Sequence, residues 1–243
     1  MACVQITYHD QLMKDWGIGA NIAYGRGVTL MFSGPPGVGK TAAAEGLAKE
    51  LAKPLLAVDY SEIQNCFVGE TEKRIVSTFR EATRRHAVLF WDEADAMFYN
   101  RDDGGRSWEI REVNVLLREL EKFEGVCILA TNRKAALDAA LERRITLKVN
   151  FERPTADMRR HIWAKLVPAT MPVADDVNYD VLSEHDLSGG EIKNVVLNAA
   201  RSALLRSPTG PVTLADFQEA IHAEQEGRLQ GENRPRMGFL AAH

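Results

Sequence analysis

The stretch FSGPPGVGKTAAAEGLAKEL, residues 32–51, decides how the rest of the chain is read. The apolar run VTLMFS, residues 28–33, leads into it and reads as a buried strand. Residues 41–52 follow as an alanine-rich helix, in which Ala42, Ala43, Ala44 and Ala48 would allow close approach to a sheet. Gly34, Gly39, Lys40 and Thr41 fit the pattern G-x-x-x-x-G-K-[ST]. Glycines let such a loop wrap until several backbone N–H groups face one anion, and the helix start adds its positive dipole end. Pro36, Gly37, Val38, Gly39, Lys40, Thr41 and Ala42 are therefore the candidate phosphate-binding residues. Lys40 would reach the β- and γ-phosphates, and the Thr41 hydroxyl would bind Mg²⁺. A chance glycine turn is the bland alternative; the strand before and the helix after argue against it.

Working outward, apolar runs alternate with helical periods. LLAVDY (55–60), VLFWDE (88–93), VCILATN (126–132) and ITLKVNF (145–151) read as further strands, the last alternating like an edge. Residues 71–85 carry Ile75, Val76 and Phe79 at helical spacing. Residues 109–123 place Val113, Leu116, Leu117 and Leu120 on one face. The alternation predicts an α/β fold, a parallel sheet with helices on both faces. After Pro154 the pattern turns helical, near 156–167, 190–206 and 213–229, without a convincing strand. The expected organisation is a nucleotide-binding domain over 1–152, an all-helical lid over 153–230 and a flexible tail over 231–243.

Asp92 and Glu93 close an apolar strand, as a metal-holding acid and a water-activating acid should. Asp is also a favoured helix cap, so the pair gains its meaning from the loop. Asn132 ends the next strand. From there its amide would touch the γ-phosphate or the attacking water; a turn role is equally compatible with its spacing.

The chain has 243 residues, 45% apolar and 26% charged, with a net charge of −4. That balance gives no basic footprint for nucleic acid. No apolar run nears the ~20 residues of a membrane helix, and residues 1–17 lack the apolar core of a signal peptide. Cys3, Cys66 and Cys127 are odd in number and lack metal-ligand spacing, which points to a reducing cytoplasm. There is no H-E-x-x-H protease motif.

Together GPPGVGKT, LFWDEAD and ATN resemble the AAA+ ATPases, specifically the AAA branch that remodels or threads proteins. The similarity runs from about His9 to Arg206 and is closest to soluble bacterial members. It implies a P-loop NTPase fold with a five-stranded parallel sheet and a helical lid. It also implies a homo-oligomeric ring, usually of six subunits, with ATP and Mg²⁺ between neighbours. Arg143 and Arg144 match the family's paired arginine fingers, which would stabilise transition-state charge on the neighbour's γ-phosphate. Phe67, Val68 and Gly69 match the aromatic–aliphatic–glycine pore loop that would grip an extended polypeptide; an apolar staple before a helix is the plainer reading. Ile162 matches an apolar wall of the adenine, and Gly189 and Gly190 match a lid turn that would approach adenine or ribose. The family's upstream adenine-contacting turn and its N-terminal substrate-binding domain find no counterpart, so recognition is expected outside this chain, on an adaptor, another subunit or a missing N-terminal domain.

The leading reading is a cytoplasmic, ATP-driven protein remodeller acting on a protein substrate, with no membrane and no nucleic acid involved. A nucleotide-dependent assembly switch that threads nothing is the alternative, and a DNA-associated motor comes third.

Overall fold

A computed structural model describes residues 6–9, 11–22, 24–59, 63, 70–94, 107–132 and 139–232. The chain divides into two compact units, Met1–Glu152 and Arg153–His243.

The first unit is built on five parallel strands in the order β2-β3-β4-β1-β5. These are β1 (Val28–Ser33), β2 (Leu55–Asp59), β3 (Val88–Asp92), β4 (Val126–Thr131) and β5 (Leu147–Asn150). Helices α1 (Lys40–Glu50), α2 (Glu70–Arg85), α3 (Ser107–Lys122) and the short α4 (Ala139–Glu142) lie between them in sequence. A π-helical turn, Gln11–Asp15, and a 3-10 turn, Ile18–Asn21, precede β1.

Strand periodicity of two sends alternate residues to opposite faces, and each face has its own core. Leu30, Phe32, Phe90, Ile128 and Ala130 pack with Ala44, Leu47 and Ala48 of α1. Met31, Leu89, Trp91, Cys127 and Leu129 pack with Ile75 and Phe79 of α2 and with Val113, Leu116, Leu117 and Leu120 of α3. Burial on both faces explains the unbroken apolar runs of β1, β3 and β4. β5 pairs only with β1 and alternates half-buried and exposed, as an edge strand does. The alanine reading of α1 needs one correction: Ala42 faces solvent, because it lies off the helical stripe set by Ala44, Leu47 and Ala48.

The second unit holds α5 (Ala156–Leu166), α6 (Tyr179–Glu184), α7 (Gly189–Arg206) and α8 (Leu214–Glu232) around Trp163, Leu182, Ile192, Val195 and Phe217. Trp163 and Phe217 meet edge to face at 5.8 Å. Helix α6 is too short to announce itself by periodicity; it is started by Asn178, whose side chain accepts from Asp180 N. Among the described residues, the regular structure of this unit is helical but for an isolated bridge between Val173 and Val212.

Candidate functional site

Three neighbouring strands, β3, β4 and β1, end beside one another, and each delivers a residue to the same edge. β1 runs into the glycine loop. Gly34 N still donates to Thr131 O (3.2 Å). A Cβ at Gly34 would lie 2.2 Å from Phe151 O, so no larger residue fits without moving the backbone. Gly37 and Gly39 adopt φ of 75° and 97°, the left-handed region open to glycine. Gly39 caps α1 without a side-chain hydrogen bond, and the first amide to bond backward is Ala43 N to Gly39 O (2.9 Å). The opening turn of α1 thus brings its N–H groups to the loop as an anion cradle.

Lys40 is buried, and its ammonium uses all three donors: Nζ donates to Gly34 O, Pro35 O and Asn132 Oδ1, each at 2.8 Å. Because lysine has no acceptor, the Asn132 amide must present its oxygen to Lys40, which leaves Nδ2 as a donor for an incoming group. β4 lies between β1 and β3, so Asn132 stands between the lysine and the acids.

Thr41 Oγ1, in the first turn of α1, donates to Asp92 Oδ2 at the end of β3 (3.4 Å). A hydroxyl beside a single carboxylate is the sparse oxygen set that suits Mg²⁺, which keeps waters and phosphate oxygens for its other positions. Among the described residues, no group of three or more His, Cys, Asp or Glu comes together. Glu93 is exposed, with φ of 52°, uncommon for a residue with a side chain. Its N–H turns onto Asp92 Oδ1 (3.0 Å), and the next amide, Ala94 N, reaches Ala130 O (2.9 Å). One residue is therefore looped out of the β3–β4 ladder. This is a bulge, a device that re-aims a side chain, here the Glu93 carboxylate.

Arg143 and Arg144 follow α4 and precede β5. Thr146 N donates to Thr29 O (2.8 Å) near the start of β1, whereas Lys40 lies beyond its other end. The four steps from Thr29 to Ser33 span about 13 Å at ~3.3 Å each. The arginines thus sit at the end of the sheet away from this chain's own glycine loop. Arg143 is exposed, without a hydrogen bond or ion pair among the described residues. Arg144 is mostly buried: Nη2 donates to Glu121 Oε1 (2.5 Å), Nη1 donates to Ala140 O, and Nε has no partner among the described residues. Glu142 pairs with Lys148 (2.6 Å).

In the second unit, Ile162 is partly buried against the helical core. Gly189 and Gly190 form the first turn of α7, whose capping box joins Ser188 and Glu191. Arg153 Nη2 donates to Glu191 Oε2 (2.9 Å), tying the unit's first residue to that turn. Phe67, Val68 and Gly69 lie outside the described residues. The pairings of Glu121 and Arg153 escape sequence reasoning, since each partner stands more than twenty residues away, a separation that carries no local signal. No helix among the described residues is long and apolar enough to cross a membrane.

Comparison with known proteins supports one family for this geometry. Residues 30–153 match the ATPase family associated with various cellular activities (AAA). The chain is 36% identical over 202 residues to an uncharacterized AAA family ATPase, y4kL, of Sinorhizobium fredii, covering 82% of this chain and 61% of that protein. It is 35% identical over 229 residues to the ATP-dependent zinc metalloprotease FtsH of Chloroflexus aggregans, covering 89% of this chain and 34% of the relative. It is 35% identical over 239 residues to a 26S proteasome regulatory subunit 4 homolog of Oryza sativa, covering 92% and 52%. The chain thus spans about a third to three-fifths of the length of these relatives. With the matched region running from β1 through β5, and holding the glycine loop, both acids, Asn132 and both arginines, the chain belongs to the AAA family of ATPases.

Proposed function

We propose that the chain is one subunit of an ATP-hydrolysing ring that remodels a protein substrate. The observation that carries this reading is the separation of Lys40 from Arg143 and Arg144 by the length of β1. Arginines so far from their own phosphate loop would serve the loop of a neighbour, which makes turnover depend on assembly.

In this reading, loop amides and Lys40 hold the phosphates. Thr41 and Asp92 would hold Mg²⁺, which when bound offsets charge on the β- and γ-phosphates. Glu93 takes a proton from the attacking water, and Asn132 Nδ2 orients that water or the γ-phosphate. An arginine from the adjoining subunit meets the charge that develops in the transition state. Ile162, Gly189 and Gly190 would line the base. Phe67, Val68 and Gly69 would grip the polypeptide. The relatives named as a proteasome regulatory subunit and as an ATP-dependent protease favour protein as the substrate class.

A substrate trap tests the reading. The Glu93→Gln protein is purified with ATP from its native extract, beside the same protein carrying Phe67→Ala. A protein retained only with ATP and Phe67 is the expected result. An empty ring, or retention indifferent to Phe67, would shift the reading to an ATP-dependent assembly switch.

A further inference from the structure

The two adjacent arginines are in opposite circumstances. Arg143 projects into solvent, whereas Arg144 is folded into its own subunit. Its guanidinium bridges Glu121, near the end of α3, and the Ala140 carbonyl of α4, and its own amide donates to Leu141 O (2.9 Å). The backbone carbonyl of Glu121 is engaged too, accepting from Gly25 N (2.8 Å). α3, the Tyr24–Gly27 segment and the arginine turn thus converge on one cavity of about 240 Å³, lined in part by Tyr24, Glu121, Arg143, Arg144 and Thr146. For Arg144 to reach a neighbouring phosphate, it would have to break a charge-assisted hydrogen bond and leave Glu121 behind. Among the described residues, Arg143 has no such contact to give up.

We infer that the pair divides its work: Arg143 is the residue that meets the neighbouring subunit's phosphate, and Glu121 is a positioning residue that acts through Arg144. Arg144 and Glu121 form a strut that fixes the turn bearing Arg143. A carboxylate at the end of a long, well-packed helix suits this role, since Val113, Leu116, Leu117 and Leu120 anchor α3 in the core. The inference rests on the reading of the arginines as fingers, and its test separates the two.

The experiment measures steady-state ATPase kinetics, ATP affinity and thermal stability for Arg143→Ala, Glu121→Ala, Glu121→Gln, Arg144→Glu and the charge swap Glu121→Arg/Arg144→Glu. Arg143→Ala should keep ATP affinity and lose turnover. Glu121→Ala should lower kcat by about 10²-fold at unchanged KM, the cost of a displacement near 1 Å. Glu121→Gln, which keeps an acceptor for Nη2, should retain more activity than Glu121→Ala. The swap should recover at least ~10-fold over Arg144→Glu, because it restores the strut with the charges exchanged. A folded, ATP-binding swap protein as inactive as Arg144→Glu would overturn the inference, since position 144 would then need a cation. Wild-type or faster turnover by Glu121→Ala would overturn it as well. A fully active Arg143→Ala protein would remove the finger reading itself, whatever the swap did.

Discussion

Asn132 Oδ1 accepts from Lys40 Nζ at 2.8 Å, so the end of β4 holds the lysine that begins α1. Removing each partner should have a different effect. Lys40→Ala should abolish nucleotide binding. Asn132→Ala leaves Lys40 on two carbonyls and should spare binding, with affinity changed at most about 10-fold. Its turnover should fall about 10²-fold. Fluorescent-nucleotide titration beside steady-state ATPase rates distinguishes the two; normal ATP affinity in Lys40→Ala would undo the loop assignment.

Glu93→Gln should bind ATP and fail to turn it over. The amide keeps the side chain's shape and the Asp92 Oδ1 contact to its backbone, yet cannot take a proton. The loss should lie in the range of about 10²–10⁴-fold expected for a general base. A single-turnover assay with radiolabelled ATP reads it directly.

Gly34→Ala should weaken the fold where site and sheet meet. The new methyl would stand 2.2 Å from Phe151 O, and Phe151 is held by its own N–H bond to Ser33 O (2.6 Å). Overpacking of this kind costs about 1–3 kcal/mol, measurable as a lower midpoint in urea at unchanged slope.

Acid should loosen the helical unit through Asp216. Hydrogen bonds from Arg206, foremost, and from Thr213 lower its carboxyl to about 2 from an ordinary 3.8. A lowered acid stabilises the fold fully above pH 3.8 and loses that contribution as pH falls toward 2. Asp216→Asn should therefore cost about 1–2 kcal/mol near neutrality. Its thermal unfolding curve should converge on wild type as pH drops below 4, and an unchanging difference would contradict the assignment.

Cys127 offers a chemical test of the core. It is buried on β4, and burial pushes its thiol far above the ordinary range. With Cys3 and Cys66 replaced by serine, maleimide labelling should be slow in the native protein and fast in denaturant.

Much of this arrangement is legible in the sequence alone. β1, β3 and β4 showed as unbroken apolar runs because both their faces are covered, and β5 showed as alternating because one of its sides is not. The glycine loop was legible because phosphate chemistry tolerates few substitutes for Gly34, Gly39, Lys40 and Thr41. Strand order was not written in any one segment, since it depends on pairings across the whole chain. Nor was the captivity of Arg144, whose partner stands twenty-three residues earlier on another element. Helix α6 escaped because six residues cannot establish a period; it follows from its Asn178 cap and the burial of Leu182.

The bulge at Asp92 and Glu93 has a genetic corollary. The ladder is regular up to Trp91 and Leu129 and resumes one residue late at Ala94. Deleting Glu93 alone would bring Ala94 into step with β4, so the sheet should close over the gap. A loss of one codon would then yield a stably folded, nucleotide-binding but inert chain which, in the proposed ring, would poison a mixed assembly more effectively than a truncation.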